Sequence, residues 1–125
     1  MQEVDLRDLM MTIQEKKQMH ANLELEFDCV ITVEDITPLV KVINYALNYV
    51  TQLSDQQMQI SVNATMSNIT IGITTFTDKE TLPPINQQAQ DMLKPYSASM
   101  ELKSEAGKYA QLLIVFTKFK ERAVV

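Results

Sequence analysis

A chain of 125 residues with 46% apolar and 22% charged residues is long enough for one hydrophobic core, too short for two, and too apolar for a disordered segment. Its net charge of −5 excludes a strongly basic surface; the nearest thing to a basic cluster, Lys118, Lys120 and Arg122, is interrupted by Glu121, so no nucleic acid is expected as a partner. No stretch approaches the roughly 18 consecutive apolar residues of a membrane span, and the opening MQEVDLRDLM carries acids where a signal peptide needs basic residues, so a cytoplasmic protein without membrane insertion is expected.

Residues 5–20 read as a first helix, because Leu6, Leu9, Met10, Ile13 and Lys17 fall on one stripe, with Asp5 at the capping position and Asp8 as an N-terminal acid. His20 then stands as a cation complementing the dipole at the helix end. Leu23, Leu25 and Phe27 alternate with Glu24 and Glu26, the pattern of a half-buried strand, and the run Cys29–Val33 is a further short strand or its lead-in. Thr37 as N-cap followed by Pro38 opens a central helix, along which Leu39, Ile43, Ala46, Leu47, Val50 and Leu53 recur at helical spacing, ending near Gln52.

Two alternating segments follow, Met58-Ile60-Val62-Ala64 and Ile69-Ile71-Ile73, joined through Met66-Ser67-Asn68 as a hairpin. A loop with Pro83 and Pro84 leads to a short helix from about Ile85 to Leu93, stopped by Pro95. A second hairpin closes the chain: Ser99–Ser104, with Met100 and Leu102 on one face, turns through Gly107 into Tyr109–Lys118, with Leu113, Val115 and Thr117 inward. The single domain 1–125 is therefore expected to be α+β: a two-layer sandwich with a mixed, largely antiparallel sheet and helices on one face.

The helix segment Leu39–Asn48 places Asn44 and Asn48 four residues apart, so both carboxamides lie on one helical face. That segment resembles the N box of the ATP-binding domain of sensor histidine kinases, whose superfamily includes DNA gyrase and the ninety-kilodalton heat-shock chaperones. The stretch Ser99–Lys108, a strand ending in Ser-Glu and turning through Gly-Lys, is similar to that family's closing hairpin, and Val4–Leu9 resembles the domain's opening. The resemblance implies that the residue matching Asn48 helps hold the magnesium bridging the nucleotide phosphates and that the one matching Asn44 lies near the terminal phosphate.

The adenine pocket departs from the family. With Ile69, Ile71 and Ile73 inward, the family's Asp-x-Gly-x-Gly falls on Thr75, Thr77 and Lys79; moving Asp78 into the acid's place reverses the strand's parity. The second glycine box and the long lid are missing too, since the chain's two glycines are Gly72 and Gly107 and a phosphate cradle needs residues tolerant of positive φ. Tyr49 also replaces a small residue and takes up space a nucleotide would need. A hydrogen bond to a charged acceptor contributes about 1.5–3 kcal/mol and each 1.4 kcal/mol is about tenfold in affinity, so these losses together move a micromolar site to millimolar or beyond.

One cysteine and one histidine, Cys29 and His20, leave neither a disulfide, a multi-histidine metal site nor a Ser-His-Asp triad to assemble. No cofactor and no metal are therefore expected. The resulting expectation is a non-catalytic protein-interaction or regulatory domain derived from a histidine kinase ATP-binding domain, with a two-component signalling protein as partner. The methionines Met10, Met11 and Met19 leave a homodimer open. The alternative is a divergent Mg-ATP-binding ATPase or phosphotransferase that uses Asn44 and Asn48, with Asp78 reading the base.

Overall fold

A computed structural model describes residues 1–19 and 21–117; His20 and the basic cluster Lys118, Lys120 and Arg122 lie outside the described residues. The chain opens with strand β1 (Gln2–Asp5), which pairs antiparallel with β3 (Val30–Val33) in a two-stranded sheet. Helix α1 (Leu6–Lys16) starts where the Asp5 carboxylate accepts from the N–H groups of Arg7 at 2.9 Å and Asp8 at 3.4 Å. It buries Leu6, Met10 and Ile13 and ends earlier than the stripe suggests, with Gln18 in the left-handed region at φ 56°.

Helix α2 (Thr37–Thr51) begins where the Thr37-Pro38 pair places it, but the Thr37 side chain does not cap it. Instead the Asp35 carboxylate accepts from the Thr37 N–H at 3.0 Å. The Tyr96 hydroxyl accepts from the Leu39 N–H at 3.1 Å and donates to the Asp35 carbonyl at 2.6 Å. These contacts satisfy donors that a helix start leaves orphaned. The helix buries Leu39, Val42, Ile43, Ala46, Leu47, Tyr49 and Val50, a stripe broad enough to cover a sheet.

That sheet has five strands in the order β2-β4-β5-β7-β6: β2 (Asn22–Leu25), β4 (Gln59–Ala64), β5 (Asn68–Phe76), β7 (Tyr109–Thr117) and β6 (Ala98–Glu105). The β2–β4 pair is parallel and the other pairs antiparallel. On the covered face lie Ile60 and Val62 of β4, Ile69, Ile71 and Ile73 of β5, and Met100 of β6. Helices α2 and α3 (Gln87–Leu93) pack on this face, α2 over β5 and β7 and α3 over β6. Asn86 caps α3, its side chain accepting from the Gln88 N–H at 2.8 Å, so the helix starts two residues later than expected. A 3-10 turn, Lys94–Tyr96, follows it. The α+β architecture expected from the sequence is observed.

Two strand assignments change. In β7 the inward residues are Ala110, Leu112, Ile114 and Phe116, while Leu113 and Val115 are half-buried on the open face and Thr117 is exposed there. Register fixes this: Ile71 pairs with Ile114 and Ile73 with Leu112, and paired residues share a face. Strand β2 is less buried than its alternation suggests, because it is an edge; Leu23 is 36% and Phe27 71% exposed. On the open face, a Cβ at Gly72 would stand 2.9 Å from the Ser61 hydroxyl oxygen and 3.3 Å from a Leu113 methyl, so both flanking strands close over this glycine.

The parity of β7 sets a test. Leu112→Ala removes a fully buried side chain and should cost about 2–5 kcal/mol in urea unfolding, against less than about 1.5 kcal/mol for Leu113→Ala. Equal losses would contradict the described face.

Candidate functional site

On α2, Asn44 and Asn48 lie one turn apart, off the buried stripe, and each has its own local partner. The Asn44 carboxamide, partly buried, donates back to the Val40 carbonyl at 3.1 Å. Asn48 is exposed, and its side-chain oxygen accepts from the Lys17 ammonium at 3.3 Å. That oxygen is the hard ligand a magnesium ion would seek, and a cation already stands beside it.

Between the asparagines sits Tyr45, and after them Tyr49, their rings 6.2 Å apart and tilted at 47°. Tyr49 is buried, at 6% exposure, and its hydroxyl donates to the Pro83 carbonyl. Burial first, and the neighbouring Tyr45 second, raise its pKa above that of an ordinary tyrosine. The Tyr45 hydroxyl accepts from the Asn86 N–H at 2.8 Å. With Tyr96 reaching back to Leu39 and Asp35, three tyrosines tie the connection between β5 and β6 to α2 at both of its ends. Only Tyr49 stood out in the sequence, as a bulky replacement; Tyr45 and Tyr96 carried no local signal, because their partners lie 41 and 57 residues away.

Past β5 the chain is fastened as well. Thr75 is 1% exposed, with its hydroxyl near the Phe76 carbonyl at 3.4 Å. Thr77 is buried; its hydroxyl donates to the Leu53 carbonyl at 2.9 Å and accepts from the Lys79 N–H at 3.2 Å. The Thr77 N–H donates to the Lys108 carbonyl at 3.1 Å and the Gly107 N–H to the Lys79 carbonyl at 3.3 Å, joining residues 77–79 to the β6–β7 turn. Above them lies a broad open depression of about 560 Å³, with Asp55, Asp78 and Lys108 among its lining residues and neither asparagine. Among the described residues positive φ occurs at Gln18, Asp28, Ser97 and Gly107, so residues 73–96 contribute none. Nor, among the described residues, does any group of three His, Cys, Asp or Glu side chains stand ready to hold a metal ion.

Neither a protein-family model nor a curated protein sequence matches the chain. Solved structures do. The Acinetobacter baumannii histidine kinase AdeS superposes with a TM-score of 0.74 at 10% identity, over 95% of this chain and 68% of that one. The histidine kinase domain of the E. coli osmosensor EnvZ gives 0.74 at 7% identity, over 100% and 93%. The fold is that of a histidine kinase ATP-binding domain. The ATP-binding domain of PrrB from Mycobacterium tuberculosis agrees, with a TM-score of 0.66 at 13% identity over 95% of this chain and 98% of that one. Identities this low carry the histidine kinase fold and nothing finer. No helix among the described residues is long and apolar enough to cross a membrane.

The Asp35 carboxyl sits below the usual carboxylate range, chiefly through the Thr37 N–H and then the Thr37 hydroxyl. A carboxylate with a depressed folded-state pKa stabilises fully above its unfolded pKa and loses that contribution as pH falls through the folded one. In thermal unfolding from about pH 6 to about pH 3, a range that brackets the aspartate pKa, the gap between the parent chain and Asp35→Asn should narrow as pH falls. A gap that widens would exclude this role.

Proposed function

We propose that residues 1–125 form a single non-catalytic domain on the histidine kinase ATP-binding fold, one that does not bind ATP and works in the cytoplasm by docking a protein partner, a two-component signalling protein by analogy with the kinases that share its fold. The observation that carries this reading is the fastened connection after β5. Where a nucleotide site needs backbone N–H groups free to turn toward phosphate, the N–H groups of Thr77, Lys79 and Asn86 are taken by the Lys108 carbonyl, the Thr77 hydroxyl and the Tyr45 hydroxyl.

Thr75 supports the same reading. It has no carboxylate with which to accept from an adenine amino group, and it is buried in the core. The Lys17 ammonium at the Asn48 oxygen adds a local positive charge where magnesium would have to sit. The residues present therefore do not suit a magnesium–nucleotide complex, and no chemical step is derived through one.

Calorimetric titration with magnesium and a non-hydrolysable ATP analogue tests this directly. No saturable heat is expected below about millimolar nucleotide; a dissociation constant near micromolar, which corresponds to about −8 kcal/mol, would sink the reading. If such binding appeared and Asn48→Ala abolished it, the divergent Mg-ATP enzyme built on Asn44 and Asn48 would replace it.

A further inference from the structure

The two edges of the five-stranded sheet are finished differently. At the β6 edge, the Gln90 side chain from α3 clamps the middle of the strand, donating to the Met100 carbonyl at 2.8 Å and accepting from the Met100 N–H at 3.1 Å. At the β2 edge, Asn22 and Glu26 donate their N–H groups to the carbonyls of Met58, just before β4, and of Val62 within it. Alternation along a strand then turns the main-chain groups of Leu23 and Leu25 away from the sheet. Among the described residues no side chain reaches those groups as Gln90 reaches Met100.

The side chains along this edge sort by face. Leu23 and Leu25 share the helix-covered side with their partners Ile60 and Val62, Leu23 being left exposed, and Phe27 stands exposed just past the strand's end. Phe27 is held in place by the Arg7 guanidinium, 4.4 Å above its ring. On the open side stand Glu24 and Glu26, both exposed, each lending an oxygen to a neighbour, Gln59 and the Ala64 N–H respectively. Asp28 follows, exposed as well. An edge strand is ordinarily blunted by shortness or charge, and β2 has both devices; yet its charge is of one sign and its other side is apolar.

We propose that β2 is a docking edge for an extended segment of another protein, in which apolar residues alternate with lysine or arginine. Such a segment adds a strand by hydrogen-bonding Leu23 and Leu25. Its apolar side chains meet Leu23, Leu25 and Phe27, and its basic ones meet Glu24 and Glu26. Charge decides the occupant: a second copy of this chain pairing β2 to β2 would set these same carboxylates against each other, which like-charge repulsion disfavours. This inference deepens the protein-binding reading by naming its surface and the chemistry of its partner.

The probe is a labelled seven-residue peptide alternating valine and lysine, with a valine–glutamate peptide as control, titrated into the ¹⁵N-labelled chain. The valine–lysine peptide should bind and shift the amide signals of Leu23 and Leu25 most. Glu24→Lys, an exposed change, should weaken it at least about fivefold and strengthen the valine–glutamate peptide. Leu25→Pro removes an outward N–H together with a half-buried side chain of the docking face, and Leu25→Ala removes the side chain alone; the proline should abolish binding and the alanine only weaken it, while the remaining signals of both keep their dispersion. Absence of shifts at Leu23 and Leu25 up to about millimolar peptide, indifference to the charge reversal, or a dimer formed through β2 would each overturn the proposal. Nucleotide binding in the earlier titration would overturn the non-catalytic reading and leave this edge standing, so the two failures are distinguishable.

Discussion

The burial of one side of α2 is the constraint on which the rest of the molecule depends. Leu39, Ile43, Ala46 and Leu47 are fully withdrawn from water, and the helix that carries them packs against α3 and over β5 and β7. Fully burying a leucine or isoleucine contributes about 1.5–3 kcal/mol, so this one helix–sheet seam supplies a stabilisation comparable with the whole net stability of a small domain. It also fixes orientation. Once the stripe faces the sheet, Asn44 and Asn48 must face away from it, and the tyrosine hydroxyls emerge along the flank where the long connection passes.

That flank explains how a connection with no regular structure between Thr77 and Asn86 keeps a defined course. A tyrosine buries an apolar ring and leaves a polar tip that needs a partner. Tyr49 and Tyr45 find theirs in backbone groups at Pro83 and Asn86, and Tyr96 finds two, the Leu39 N–H in the first turn of α2 and the Asp35 carbonyl just before the helix. Each hydrogen bond contributes only about 1 kcal/mol net. Their effect is to remove alternatives: the connection has polar main-chain groups to satisfy, and α2 meets them in one arrangement.

How much of this was legible in the sequence varied with the kind of signal. The strand β5 was plain, because Ile69, Ile71 and Ile73 alternate with Thr70, Gly72 and Thr74. The strand β7 was legible as a strand but not by face, since both parities are apolar through Leu112–Phe116; Gln111 and Thr117, both on the open side, were the residues that told them apart. The start of α2 was right while its cap was not, because the first-turn N–H groups go elsewhere: that of Thr37 to the Asp35 carboxylate and that of Leu39 to the Tyr96 hydroxyl, 57 residues away. Strand β1 escaped notice because only Val4 of its four residues is buried. At the site, the positions of Asn44 and Asn48 followed from helical spacing, whereas Lys17 at Asn48 depends on the packing of α1 beside α2, which no spacing encodes.

The parallel pairing of β2 with β4 also bears on how the chain assembles. Asn22 aligns with Gln59 across the whole of β3 and α2, whereas β6 meets β7 through a short turn at Gly107. Closing a long loop costs entropy before its contacts repay it, so the hairpins β4–β5 and β6–β7 close at the least cost, while β2–β4 and β5–β7 both close longer loops. Strand β2 is held by a single neighbour, so its departure would expose β4 and break no other strand pairing. An edge strand that pairs on one side only can open without disturbing the central pairs, which places the N-terminal edge among the parts of the native state that local unfolding reaches most readily.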